Sequence, residues 1–123
     1  MLFGDCTHHM SKSATALAKE LIEGDPGGLE ELHIHEFPDD ESAHDDELTE
    51  RLYAEFAAEL ERVQKELTEQ YGPPSRTGKT DDEVIPLNGV FRFAIWEVGE
   101  RQLFAAASHE DRGVPILLML GTV

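Results

Sequence analysis

The stretch that decides the fold lies near the carboxyl end, where three apolar runs follow one another with short breaks. They read Val90-Phe-Arg-Phe-Ala-Ile-Trp-Glu-Val98, Arg101-Gln-Leu-Phe-Ala-Ala-Ala-Ser108 and Val114-Pro-Ile-Leu-Leu-Met-Leu120. Gly99-Glu100 is the Gly-X pair of a type II′ hairpin, and the five-residue break before the third run contains Gly113. The pattern predicts a three-stranded antiparallel meander over about residues 90–97, 101–108 and 114–120.

The alternation of side chains predicts how the first two strands pair. If Val98 faces Arg101 across the turn, then Trp96 faces Leu103. One face of the hairpin is then flat and alanine-rich, and the other is bulky, with Phe91, Phe93, Ile95 and Phe104. Neither face is polar along its whole length, so both need cover. The first face could be covered either by a helix of the same chain or by a second copy of the chain. Its residues, the candidate homodimer face, are Ala94, Trp96, Leu103, Ala105 and Ala107.

Two amphipathic patterns predict helices. A long helix over about residues 46–71 has apolar residues at steps of three and four, and Gly72-Pro73-Pro74 ends it. At 1.5 Å per residue it would span about 37 Å, enough to cross the sheet, and we expect it to cover the bulky face. A shorter helix over about residues 12–23 ends at Gly24.

Shorter signals complete the predicted architecture. Residues 32–37 alternate and stop at Pro38, which predicts a strand, and Pro86 restricts a strand over residues 84–87 to a sheet edge. The whole chain, residues 1–123, is predicted to be a single α+β domain with an antiparallel sheet of three to five strands. We expect residues 1–10 to be a loosely ordered leader and residues 75–83 to be a polar linker.

The charge departs furthest from the average. The chain has 26 acidic and 10 basic residues, a net charge of −16, and no basic residue between Lys19 and Arg51, where 13 of the acids lie. Such a field repels nucleic acid and anionic membranes, so we expect neither as a partner. The longest apolar run is too short to span a bilayer. Residues 1–5 lack the basic start and apolar core of a secretory signal, so we expect none. A single Cys fits a reducing compartment, and we expect a cytoplasmic protein.

The acidity leads to one functional hypothesis. A protein-binding module would present an acidic surface to a basic protein partner, as immunity proteins and nucleic-acid mimics do, by analogy of charge and size alone. The residues predicted to bind the partner are Glu36, Asp39, Asp40, Glu41, Asp45, Asp46 and Glu47. Solubility, or adaptation to a salt-rich cytoplasm, would also explain the acidity. The hypothesis needs no cofactor and no catalytic residue, and we assign none.

The histidines suggest an alternative to the protein-binding hypothesis, namely a metal-dependent enzyme or metal-binding protein. His33 and His35 would project from the same face of a strand, and further donors are Cys6, His8, His9 and His109. No pair has His-Glu-x-x-His or Cys-x-x-Cys spacing, so a site would need distant segments to converge.

Gly78-Lys79-Thr80 has the end of a phosphate-loop motif but lacks the beginning. The first Gly of that motif would fall on Pro73. The segment also follows a helix, whereas the motif connects a strand to a helix. The sequence therefore favours an exposed linker here.

Overall fold

A computed structural model describes residues 13–25, 27–37, 45–111 and 114–123. Within these ranges, five antiparallel strands form one sheet in the order β1-β5-β4-β3-β2, accompanied by two helices. The predicted α+β class is confirmed. In chain order the elements are α1 Ala14–Glu23, β1 Leu29–His35, α2 Asp46–Tyr71, β2 Arg76–Gly78, β3 Val90–Val98, β4 Arg101–Ser108 and β5 Ile116–Thr122. The predicted leader, residues 1–10, lies outside the described residues.

The β3–β4 hairpin has the predicted register. Val98 pairs with Arg101 and Trp96 pairs with Leu103. Gly99 has a φ of 64°, and no described residue other than glycine has a positive φ, so only the first position of the turn is left-handed. That combination is the one a type II′ turn requires. β5 pairs with the other side of β4 and completes the predicted meander.

Both helices pack on the alanine-rich face. The five residues of the candidate homodimer face are at most 1% exposed and belong to the same core cluster as Phe56 and Leu60 of α2. The expectation that the long helix covers the bulky face is therefore wrong. Alanine at three of these strand positions leaves room for the large side chains of the helices to approach the sheet. The indole Nε1 of Trp96 donates to the Gly72 carbonyl, 3.0 Å away, and so joins the sheet to the end of α2.

A loop covers part of the other face. Val84, Ile85 and Leu87 pack against Phe93 and its bulky neighbours, so residues 84–87 act as a cover and do not form the predicted edge strand. The edge strand is β2 instead, within the segment predicted to be a polar linker. Side chains from that segment hold the loop, since Asp81 accepts from the Val90 amide at 2.8 Å.

Local signals fix the helix ends. The Ser13 hydroxyl accepts from the Ala16 amide at the start of α1, and the Asp45 carboxylate accepts from the Leu48 amide at the start of α2. α2 ends at Gly72, whose φ is 85°. Neither helix in the described part of the chain combines the length and apolarity that a bilayer crossing needs.

Candidate functional site

β1 lies at one edge of the sheet and is surrounded by acids. Of the 13 acids between Lys19 and Arg51, ten fall within the described residues, and all ten are exposed. They lie at the end of α1, on β1, just after β1 and in the first turns of α2. β1 and these ten acids are called the acidic edge below: Glu20, Glu23, Asp25, Glu30, Glu31, Glu36, Asp45, Asp46, Glu47 and Glu50.

The structure places four of the seven predicted partner-binding residues. Glu36 follows β1, and Asp45, Asp46 and Glu47 begin α2; all four are exposed. Asp45 also caps the helix, so its carboxylate has a structural role besides its charge. The other three predicted residues, Asp39, Asp40 and Glu41, lie outside the described residues.

The acidic edge also exposes two large apolar side chains. Leu29 is 42% exposed and Ile34 is 38% exposed. They pair with Gly121 and Leu117 of β5, which puts both on the face of the sheet opposite the helices. The loop 84–87 packs over β3 and β4 on that face and leaves these two residues accessible. The acidic edge therefore carries an accessible apolar pair on one face, with Glu31 between its two members, and the acids of both helices on the other face.

His33 and His35 share the helix-facing side of β1, as the alternation predicts. A register shift between Glu31 and His33 lets Leu32 enter the same side, where it is 1% exposed. The His33 ring stacks on Phe56 with 4.5 Å between ring centroids, and its Nδ1 contacts the Glu59 carboxylate. This imidazole therefore joins the edge strand to α2.

His109 lies beside a row of aromatic rings near the start of α2. Its Nδ1 is 2.7 Å from the Tyr53 hydroxyl, and its ring centroid is 5.6 Å from that of Phe37. Tyr53 in turn stacks on Phe91, which a β-bulge turns towards the helices, although the sequence placed it on the bulky face. A cavity of ≈140 Å³ lies here, lined by Asp46, Thr49, Tyr53, His109 and Asp111.

These contacts do not assemble a metal site within the described ranges. No three of their His, Cys, Asp or Glu side chains are arranged to hold an ion. Cys6, His8 and His9, which the alternative hypothesis also uses, lie outside those ranges. His33, His35 and His109 are held instead by aromatic and polar neighbours.

The opposite edge of the sheet carries a larger cavity that the sequence did not reveal. It has a volume of ≈670 Å³ and lies between the second half of α2 and the β2 edge. Lys65, Lys79 and Arg92 all line it, and it is called the cationic groove below. These residues come from a helix, a loop and a strand, so no local spacing in the sequence could have brought them to attention.

A polar clasp holds the β2 edge beside this groove. The Asp82 carboxylate accepts from Arg76 Nε at 3.0 Å and from Arg76 Nη2 at 2.9 Å. It also accepts from the Val84 amide at 3.0 Å. The hydrogen bond from Arg76, followed by that from Val84, lowers the pKa of Asp82 below its ordinary 3.8.

The architecture defines the class of protein. It is an α+β protein in which both described helices cover one face of an antiparallel sheet, with exposed acids at the β1 edge and a groove lined by three cations and two carboxylates at the β2 edge. No protein-family model, no curated protein and no solved structure shows a significant match to the chain.

Proposed function

We propose that this protein is a binding module whose acidic edge docks onto a basic protein partner. One observation carries the proposal: ten exposed acids lie on β1 and on the segments that precede and follow it in the chain, and β1 also exposes Leu29 and Ile34. Solubility requires dispersed charge but does not require two large apolar side chains to stay accessible on the same strand.

Each part of the acidic edge has a separate role in binding. Opposite charges speed the encounter of two proteins and orient them, and exposed pairs add little affinity each. Apolar anchors in the centre of a contact contribute more, because water is excluded from them. Leu29 and Ile34 would therefore fix the contact, and Glu30, Glu36 and Asp45 would select a basic surface.

The test compares neutralised acids at two places. The edge variant combines Glu36→Gln, Asp45→Asn, Asp46→Asn and Glu47→Gln; Asn keeps the cap of α2. The control variant combines Glu69→Gln, Glu83→Gln, Glu97→Gln and Glu100→Gln, which are exposed acids outside the acidic edge. Both variants change the net charge by the same amount, so any difference between them reports position.

The first probe is a fluorescent poly-lysine peptide, whose binding is measured by anisotropy at about 0.05 M and about 0.5 M salt, where the screening lengths differ roughly threefold. At about 0.2–1 kcal/mol per exposed pair, the edge variant should bind about tenfold more weakly or worse at low salt. The control variant should lose less than about threefold. Equal losses would mean that net charge alone attracts the peptide, and the proposal would fail.

Carbodiimide cross-linking locates the contact directly, because it joins carboxylates to lysine amines that touch them. Mass spectrometry of the linked products should recover acids of the acidic edge, with Glu83 and Glu100 linked much less. The pair Leu29→Ser and Ile34→Ser should weaken binding of a folded basic protein, such as a core histone, more than binding of the peptide. Links spread evenly over all exposed acids would contradict the proposal.

A further inference from the structure

The cationic groove differs in charge from the rest of the molecule. Its lining includes three of the chain's ten basic residues and only two carboxylates, those of Glu61 and Glu69. Over the whole chain acids outnumber bases by 26 to 10. A surplus of positive charge inside a concave surface attracts and holds anions better than the same charge spread over a convex surface.

Three elements bring the cations together. Lys65 lies on α2, Arg92 on β3, and Lys79 directly follows β2. Within the groove, Arg92 Nη1 and Glu61 Oε1 are 3.9 Å apart. Because Glu61 is 70% exposed and this distance is long, the pair is weak and an incoming anion can replace the carboxylate.

The remaining lining suits a ligand that is part polar and part apolar. Thr68 and Thr77 offer hydroxyl donors, and the aliphatic stems of the cations offer apolar surface. The volume of ≈670 Å³ lies within the range of about 300–1,000 Å³ typical of small-molecule sites. The groove is thus large enough for an organic molecule.

We propose that the cationic groove binds a small organic anion, a phosphate monoester or carboxylate attached to a flat apolar body. The planar guanidinium of Arg92 donates two parallel hydrogen bonds to the anionic group, and Lys65 and Lys79 act as point charges beside it. The apolar body lies along the aliphatic stems of Lys65 and Arg92. This use of Lys79 needs no phosphate-loop motif, which the segment lacks.

The acidic edge does not prevent such binding. β1 and β2 are separated by four interstrand spacings, or about 19 Å at roughly 4.8 Å each. The screening length at physiological ionic strength is about 8 Å, so repulsion from the acidic edge is largely removed at the groove. The proposal therefore stands apart from the proposed function and uses a different surface.

The test uses three probes with one apolar body: 1-naphthyl phosphate, 1-naphthoate and neutral 1-naphthol. Binding is followed in amide NMR spectra and by calorimetry at about 0.15 M salt, where remote charges are screened. We expect at least one anion to bind about tenfold more tightly than naphthol, because hydrogen bonds to charged groups are the stronger ones. The amide signals that move should be those of residues 64–69, 77–79 and 92–93.

Charge-matched variants then locate the site. Lys65→Gln and Arg92→Gln should each raise the Kd of the bound anion about tenfold, since each removes one charge-assisted contact. Arg62→Gln is the control, since Arg62 is exposed on the same helix and does not line the groove; it should change the Kd less than twofold. Dispersed amide spectra of all three variants establish that they remain folded.

Several results would overturn the proposal. Naphthol binding as tightly as both anions would show an apolar site with no anion preference. An equal loss in Arg62→Gln would show attraction by net charge alone. Absence of binding by both anions, or shifts confined to amides away from the groove, would remove the site. None of these results would bear on the acidic edge, whose residues all remain intact in the groove variants.

Discussion

The two edges of one sheet differ in charge, length and the way they are held. β1 has seven residues and lies among ten exposed acids, whereas β2 has three residues and lies beside a groove with three cations. β1 is fixed by apolar packing of Leu32 and by stacking of His33 on Phe56. β2 is joined to β3 by backbone pairing, and the side chains of Arg76 and Asp82 add hydrogen bonds there. We therefore expect the two edges to be destabilised by different substitutions. The β1 edge should be sensitive to loss of a buried side chain, and the β2 edge to added side-chain volume and to loss of charge.

The largest effect on the free energy of unfolding is expected at Leu32, which is the one buried residue of β1. Leu32→Ala removes a fully buried side chain and should lower the free energy of unfolding by about 2–4 kcal/mol, measured by urea denaturation. Ile34→Ala, two residues along the same strand but 38% exposed, is the control and should cost less than about 1 kcal/mol. Equal losses would mean that Leu32 does not anchor the edge.

The second largest effect on stability is expected at the other edge, where Gly78 lies close to Phe93. A Cβ on Gly78 would lie 2.6 Å from Phe93 Cε2, so the ring would have to move within a packed cluster. We expect Gly78→Ala to cost about 1–2 kcal/mol in urea denaturation, as overpacking typically does. Thr77→Ala, at an exposed position of the same strand, should change stability by less than about 0.5 kcal/mol. A neutral Gly78→Ala would show that the ring moves without cost.

The two edges also differ in how far the sequence predicted them. The acidic edge could be predicted in outline because its acids lie in one stretch of the chain, between Lys19 and Arg51, with no Lys or Arg among them. Likewise, the spacing of apolar residues predicted α2, and Gly99-Glu100 predicted the hairpin register. These are local patterns, each decided by neighbours within one element.

Features set by contacts between distant segments were not predictable in the same way. Alternation correctly separated the two faces of the hairpin but could not say which one α2 would cover. The bulge that turns Phe91 towards Tyr53 interrupts the alternation of side chains along β3. No residue type in this stretch predicts a bulge. The cationic groove combines Lys65, Lys79 and Arg92 only after folding. Val84 and Ile85 were apolar enough to suggest a strand, yet they cover the sheet instead of joining it.

A smaller change in stability is expected when acids of the acidic edge are neutralised, because like charges there repel one another. Glu30→Gln with Glu31→Gln reduces repulsion on β1 and should stabilise the protein by about 0.5 kcal/mol at low salt. Because salt screens the same repulsion, the gain should vanish near 1 M salt, where the screening length is about 3 Å. Thermal unfolding at both salt concentrations measures it. The control, Glu69→Gln with Glu83→Gln, should gain less. A gain that persists at high salt would point to a cause other than charge.

The smallest effect concerns the clasp between Arg76 and Asp82. The pKa of Asp82 is lowered in the folded state, so the stabilisation it provides is fully present above its ordinary value of 3.8 and is lost as the pH falls through the lower folded-state value. Carboxyl NMR titration should place this pKa below 3.8. In Arg76→Gln the pKa should rise towards 3.8 without reaching it, because the Val84 amide still donates to the carboxylate.

Arg62→Gln serves as the control for this titration, since it removes one exposed positive charge without touching the clasp. An Asp82 pKa that stays equally low in Arg76→Gln would mean that the Val84 amide alone sets it. The loop 84–87 would then be held to the sheet by its backbone and its apolar side chains. If the pKa rises instead, one guanidinium at a solvent-exposed edge joins β2 to the loop that covers Phe93, a polar counterpart to the apolar anchoring of β1.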